Sequence, residues 1–277
     1  MSIKTTARLL VCVVIVVVMY TKINQYIKSS VSLEKCIDLP QEIAANERSL
    51  VHLACIMDGN RRWARKNGLA PWEGHSHGIQ AAKRIIEFCL EKKIKYLTVY
   101  TLSPENFKRS AQELEYLFNL MTQEAQKGAQ EFIKHGIRVR FIGDRSLFPA
   151  GLVPLLDEIE KNTAHLDTLQ VNVLFCYGAR QEIAAAAKSI AQKVKDNELS
   201  PDDITPQLLS AYLWNSNFPD PDLIIRTGKV SRLSNFLLYQ AAYSELYMLD
   251  CFWPEVTKEH FEHAYNAFLL SKRTFGA

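Results

Sequence analysis

Paired cysteines are missing from this chain. Its six cysteines, Cys12, Cys36, Cys55, Cys89, Cys176 and Cys251, never form a C-x-x-C unit, which removes zinc-ribbon and thioredoxin-type readings and leaves no disulfide framework. Several sit inside apolar runs, where a thiol behaves as a small hydrophobe, and the pattern suits a reducing compartment. No G-x-G-x-x-G follows the first apolar run and no G-x-x-x-x-G-K-S/T occurs anywhere, so dinucleotide and P-loop nucleotide binding both lose support. The 33 lysines and arginines against 30 acids leave a net charge of only +3, with neither a basic tract nor interleaved aromatics, and no nucleic-acid surface is expected. His52, His135, His165, His260 and His263 stand without ligand spacing and read as packed or solvated side chains.

A linker rich in Pro, Gly or Ser is also absent between residues 50 and 277, which argues for one domain there behind an N-terminal extension. The chain is divided accordingly into an anchor-like segment (1–30), a linker (31–49) and the domain itself (50–277). Leu9–Tyr20 is an uninterrupted apolar run with Lys4 and Arg8 before it and Lys22 and Lys28 after it. As a helix its length is about 18 Å, short of the roughly 30 Å hydrocarbon core unless the basic flanks snorkel, and no small-x-small cleavage site follows. An uncleaved membrane anchor at residues 9–20, with the domain on the cytoplasmic side, is the expectation.

Within the domain, β-branched apolar runs at His52–Met57, Tyr96–Thr101, Arg138–Ile142, Val171–Cys176 and Leu223–Ile225 alternate with helical patterns such as Gly78–Glu91, Gln112–His135 and Glu182–Val194. That alternation predicts an α/β fold: a mostly parallel central sheet flanked by helices. The polar residues cluster just after the runs, at Asp58, Ser103–Asn106, Gly143-Asp144, Tyr177-Gly178 and Arg226-Thr227-Gly228. Ligands in open α/β sheets bind at that edge.

The stretch from His52 to Trp63 is the most informative. A short apolar run stops at Asp58-Gly59-Asn60-Arg61-Arg62-Trp63, as a buried strand would when delivering an acid and an anion cradle to a helix start. Asp58 can hold a divalent cation, Gly59 lets backbone N–H groups approach an anion, and Arg61 and Arg62 can neutralise phosphate. A diphosphate is the ligand this chemistry fits; taken alone, the same strand-Asp-Gly-Asn turn reads equally as a capped helix start.

Together with Gly74-His75-Ser76-His77-Gly78, Ser103-Pro104-Glu105-Asn106-Phe107-Lys108-Arg109, Asp222–Gly228, Ser231-Arg232-Leu233-Ser234-Asn235-Phe236 and Ser244-Glu245-Leu246-Tyr247, this segment resembles the cis-prenyltransferases, the undecaprenyl diphosphate synthase family. The resemblance runs from about Leu50 to the C-terminus. It implies a single domain with a hydrophobic tunnel, a homodimer, Mg²⁺ as cofactor, and isopentenyl diphosphate and an allylic prenyl diphosphate as substrates. It also implies Asp58 as a metal-binding catalytic residue, with Glu245 as a second metal-associated carboxylate, and Asn106 as a second catalytic residue. Gly59, Asn60, Arg61, Arg62, Trp63 and His75 would form the allylic cradle. Ser103, Pro104, Glu105, Phe107 and Arg109 would complete a second substrate loop, and Arg226, Arg232, Leu233 and Ser234 the isopentenyl site. A neutral amide is a poor base, so Asn106 reads better as an orienting group than as a proton acceptor. Asp58→Ala is expected to damage turnover more than folding.

Some positions depart from the bacterial pattern. Arg61 stands at a position often occupied by glycine, Phe107 replaces tryptophan, Pro71 replaces an arginine, and Gly228-Lys229-Val230-Ser231 lacks a histidine proposed as a metal ligand in the family. A trans-prenyltransferase would need two Asp-Asp-x-x-Asp clusters, and the only adjacent aspartates, Asp202-Asp203, run into Ile204-Thr205-Pro206. The remaining alternative is a non-catalytic, membrane-bound accessory subunit of a prenyltransferase complex. Retention of Asp58, Asn60, Arg62, Asn106, Arg109, Arg226 and Arg232 favours the enzyme.

Overall fold

A computed structural model describes residues 48–272. The anchor expected at residues 9–20 lies outside them, and among the described residues no helix is long and apolar enough to cross a membrane. Six strands, β1 (His52–Ile56), β2 (Tyr96–Leu102), β3 (Ile137–Ile142), β4 (Leu169–Phe175), β5 (Leu223–Arg226) and β6 (Glu245–Met248), form one parallel sheet in the order β3-β4-β2-β1-β5-β6. The helices between and after them are α1 (Asn60–Lys66), α2 (Gly74–Glu91), α3 (Ala111–Lys134), α4 (Val153–Thr163), α5 (Ala179–Lys195), α6 (Pro206–Ala211) and α7 (Lys258–Leu270).

The five expected strands are present within two residues of their expected ends; β6 is the additional one. It has four residues, only partly buried, at the edge of the sheet, too few to print an alternation in the sequence. From β1 the chain winds one way through β2, and from β5 the other way to β6. The crevice between the C-terminal ends of β1 and β5 is therefore the topological switch point, where ligands of such sheets bind.

Side chains alternate between the two faces of the sheet with period two. Leu53, Cys55, Leu97, Val99, Val139, Phe141, Val171, Phe175, Leu223 and Ile225 belong to a large apolar cluster shared with α2, α4 and α7. Ala54, Ile56, Ile142, Leu174 and Ile224 form a second cluster with Tyr177, Phe236 and Leu237. A sheet covered on both faces explains the near-continuous apolar runs of its strands.

Polar residues at the start of the second face are tied together. His52, fully buried, meets Pro219 O through Nδ1 at 2.7 Å and Thr98 Oγ1 through Nε2 at 2.8 Å, and Asn172 Nδ2 donates to the same hydroxyl at 3.1 Å. Burial lowers the His52 pKa from 6.5 to about 4, so the folded protein holds it neutral at neutral pH. The unfolded chain binds this proton near pH 6.5 and the folded chain does not, so stability from this group is present above pH 6.5 and is lost as pH falls toward 4. At pH 5 the loss from His52 is about 2 kcal/mol. Urea midpoints measured at pH 7.5 and pH 5 will show this fall, and His52→Gln will reduce it; an unchanged pH slope in the variant would contradict the assignment.

Candidate active site

Thr227 fastens the ends of β1 and β5 together. Its hydroxyl donates to Asp58 O at 2.7 Å and accepts from Asp58 N–H at 2.9 Å. Arg226, only 3% exposed, donates through Nη2 to Asp58 Oδ2 at 2.7 Å and through Nη1 to Ser234 Oγ at 3.0 Å and to the Arg232 carbonyl. Its buried Nε has no partner. Arg62, on the first turn of α1, approaches Asp58 Oδ1 at 3.2 Å. Gly59 precedes that turn at φ +106°, and no side chain caps α1, leaving its first N–H groups available to an anion. Gly228 (φ +94°) passes so close that a Cβ there would lie 2.6 Å from Arg62 Nη2 and 3.0 Å from Asp58 Cγ.

A second cluster faces this one. Glu113, at the start of α3 and 3% exposed, lies 3.4 Å from both Arg61 Nε and Arg109 Nη1. His75 is pushed down to a pKa of about 4, first by burial and then by the positive charges of Arg109 and Arg61, so its imidazole is neutral at neutral pH. Its Nε2 is buried without a partner. Asn106, in the 3₁₀ turn Pro104–Lys108, accepts the Ser103 N–H on Oδ1 at 3.1 Å. Its oxygen thus holds the turn, and its Nδ2 is left to donate.

Below this rim a cavity of about 670 Å³ runs between the sheet, α2 and α3. Ile79, Ala82, Ile86, Leu117, Phe118, Met121, Phe132, Val139, Phe141, Val171 and Val173 are among its walls. At its mouth Arg61, Arg62, Arg65, Arg109 and Arg226 stand against Asp58. The excess of guanidinium selects an anionic head and the walls an apolar tail.

Of the expected site residues, Asp58, Gly59, Asn60, Arg61, Arg62, His75, Ser103, Asn106, Arg109, Arg226 and Ser234 line this one cavity. Trp63 does not: its ring packs on His77, with centroids 4.6 Å apart, because successive helical residues turn by about 100° and the cavity-facing side of α1 is taken by its neighbours. Phe107 packs on Phe118, Pro104 opens the 3₁₀ turn, and Glu105 accepts from Asn235 Nδ2 at 3.1 Å. Leu233 joins the second apolar cluster, while the exposed Arg232 is held through its carbonyl.

Glu245 is a correction. It begins β6 opposite Leu223, and a parallel strand begins at the sheet edge away from Asp58, more than about 14 Å off by strand spacing. Its carboxylate is held by Arg48 and by Ser271 Oγ at 2.9 Å. Within one chain it does not reach the site.

Sequence reasoning named Thr227 only as one of the polar residues after a strand, and it passed over Glu113. Ser110-x-x-Glu113 has the spacing of a helix-capping box, and Ser110 Oγ does accept the Glu113 N–H, but the carboxylate turns to the arginines instead of back to Ser110. Magnesium fits this donor set in one way. Among the described residues no three His, Cys, Asp or Glu side chains gather, yet Mg²⁺ bound through substrate phosphates needs only one or two carboxylates, and each Asp58 oxygen keeps a lone pair beside its arginine.

Asp58 is also the counter-ion of a buried guanidinium, so the expectation that Asp58→Ala spares the fold is revised. Leaving Arg226 uncompensated should cost about 2 kcal/mol and lower the thermal midpoint by roughly 4–8 °C, while Asp58→Asn should lose less. A midpoint unchanged in Asp58→Ala would show the ion pair to be idle. Gly228→Ala, by pressing on Asp58 and Arg62, should weaken binding of inorganic diphosphate at least tenfold by calorimetry; parental affinity would mean that this close approach is unimportant.

Residues 56–276 match the family described as "Putative undecaprenyl diphosphate synthase". A tritrans,polycis-undecaprenyl-diphosphate synthase (geranylgeranyl-diphosphate specific) of Thermococcus kodakarensis is 42% identical over 227 residues, covering 81% of this chain and 86% of that protein. A ditrans,polycis-undecaprenyl-diphosphate synthase ((2E,6E)-farnesyl-diphosphate specific) of Xylella fastidiosa is 40% identical over 225 residues, covering 81% and 88%. The crystal structure of lavandulyl diphosphate synthase from Lavandula x intermedia, in complex with dimethylallyl diphosphate, superposes with a TM-score of 0.81 at 32% identity, covering 84% of this chain and all of that one. With the motifs in family order and the charged rim assembled above an apolar cavity, the chain belongs to the undecaprenyl diphosphate synthase family, the cis-prenyltransferases.

Proposed function

We propose that this chain is a magnesium-dependent cis-prenyltransferase that condenses isopentenyl diphosphate units onto an allylic prenyl diphosphate and makes a long-chain polyprenyl diphosphate, the precursor of a lipid glycan carrier. The observation that carries the reading is the meeting of Arg62 and Arg226 at Asp58 over one apolar cavity. Two charged heads can sit side by side there while one hydrocarbon chain points inward.

In this reading Arg62 and the Gly59 turn take the allylic diphosphate, and Arg226, Arg232 and Ser234 take the isopentenyl head. Asp58 would hold the Mg²⁺, which when bound would neutralise the departing diphosphate. The allylic C–O bond would break and release diphosphate, a carbon–carbon bond would form to the terminal alkene carbon of isopentenyl diphosphate, and the proton lost as the new double bond forms would pass to the departing diphosphate. Asn106 Nδ2 and Arg109, on the turn at 103–109, would orient the departing allylic diphosphate, and the protein contributes mainly position and electrostatics. The cavity is then a tunnel for the growing chain, with water kept out by its apolar walls.

The same reading takes the protein as a membrane-associated homodimer with its domain in the cytoplasm. The partly exposed edge strand β6, with Leu246 50% and nearby Tyr243 75% exposed, supports a second copy as its cover, and the apolar run at 9–20 supports the membrane.

Purified full-length protein, given an allylic diphosphate and radiolabelled isopentenyl diphosphate, should incorporate label with Mg²⁺ and lose that activity with EDTA. Asp58→Asn should reduce incorporation at least 100-fold. No incorporation with farnesyl or geranylgeranyl diphosphate, with or without metal, would favour the accessory-subunit reading.

A further inference from the structure

The loop carrying Arg232 and Ser234 is held in an unfavourable backbone shape. Ser234, Asn235 and Leu237 have φ of +53°, +65° and +40°, a left-handed conformation that Ser and Leu rarely adopt and that persists only where the surroundings enforce it. Arg226 enforces it from one side through Ser234 Oγ. Asn235 does so from the other.

Four contacts converge on Asn235. Its carbonyl accepts the Ala179 N–H and its Oδ1 accepts the Arg180 N–H, both at 2.9 Å, so it caps the start of α5 from outside the helix, where Gly178 has no side chain to do so. Its Nδ2 donates to Gln181 Oε1 and to Glu105 Oε1, each at 3.1 Å. Gly178 leaves the room: a Cβ there would stand 2.6 Å from Asn235 Nδ2. Glu105 belongs to the same 3₁₀ turn as Asn106. One amide therefore joins the turn that faces one substrate head to the loop that faces the other.

We propose that Asn235 is a positioning residue that locks the turn at 103–109 to the loop at 232–237 and so fixes the separation of the two diphosphate subsites. The proposal rests on the assignment of those segments to the two substrates, as set out under the proposed function. Its chemistry allows an isolating substitution. Asn235→Asp keeps an oxygen for the Arg180 N–H at a helix start, where an anion is welcome, and Gln181 can turn its own amide to donate. Only Glu105 cannot adapt: carboxylate then faces carboxylate, and the lock opens. Adding Glu105→Gln supplies a donor and restores the bond with its polarity reversed.

Two readouts separate the lock from its use. Hydrogen exchange of the amides in 103–109, followed by mass spectrometry on the full chain, should quicken about tenfold in Asn235→Asp and return toward the parent in Asn235→Asp/Glu105→Gln, with the thermal midpoint of both within a few degrees of the parent. In steady-state assays kcat/KM for isopentenyl diphosphate should fall about tenfold in Asn235→Asp. In the double variant it should recover to within about threefold of Glu105→Gln alone, which no merely structural loss would do. Unaltered exchange in Asn235→Asp, or a kinetic loss that Glu105→Gln leaves in place, overturns the proposal. A parent chain without prenyl transfer overturns the functional reading beneath it, and the exchange experiment still decides whether the lock exists.

Discussion

One charge pair organises this protein: Arg226 at the end of β5 against Asp58 just past the end of β1. A guanidinium 3% exposed to solvent cannot remain there without a counter-charge, and the nearest carboxylate is the one the neighbouring strand delivers. The pair is possible only because β1 and β5 are adjacent and parallel in a register that ends Ile56 beside Arg226. Thr227, bonded to both the N–H and the carbonyl of Asp58, makes the juxtaposition stiff. Arg62 and Ser234 then gather on the same two side chains, and through them the first turn of α1 and the left-handed loop beyond Lys229.

The sheet supplies the other half of the site through its period of two. At the same strand ends where charge accumulates, the face toward α2 and α3 presents Val99, Phe141, Val173 and Phe175 to an open cavity instead of closing it. The half-buried Leu117, Phe118 and Met121 of α3 belong to that wall, which explains why an amphipathic helix leaves part of its apolar stripe short of full burial. A charged rim and a dry interior are thus built from neighbouring positions at the same end of the sheet. His75 and Glu113 refine the rim: one is neutral by burial, and the other bridges two arginines.

Much of this was legible from the residues. The apolar run that halts at Asp58 read as a buried strand delivering polar groups to an edge once the motifs downstream were set beside it, and the alternation of runs predicted the parallel sheet. What escaped depended on contacts between distant parts of the chain. Asn235 meets Glu105 across 130 residues, and no spacing announces that. Glu113 sat in a capping pattern with a complete local explanation, so its distant partner Arg61 was invisible. Trp63 was grouped with its neighbours because a motif is read linearly, whereas a helix shows its residues to different sides. Glu245 was expected as a second metal-associated carboxylate on a family pattern, but strand direction puts it at the end of the sheet away from Asp58.

The account stands or falls on where two charged heads settle. The direct measurement is a crystal structure of the protein soaked with a non-reactive allylic thiodiphosphate, isopentenyl diphosphate and Mg²⁺. The account predicts one head within hydrogen-bond reach of Arg62, the other within reach of Arg226 and Ser234, and the allylic tail lying between α2 and α3. Heads bound away from Asp58, or a tail outside that cavity, would contradict it.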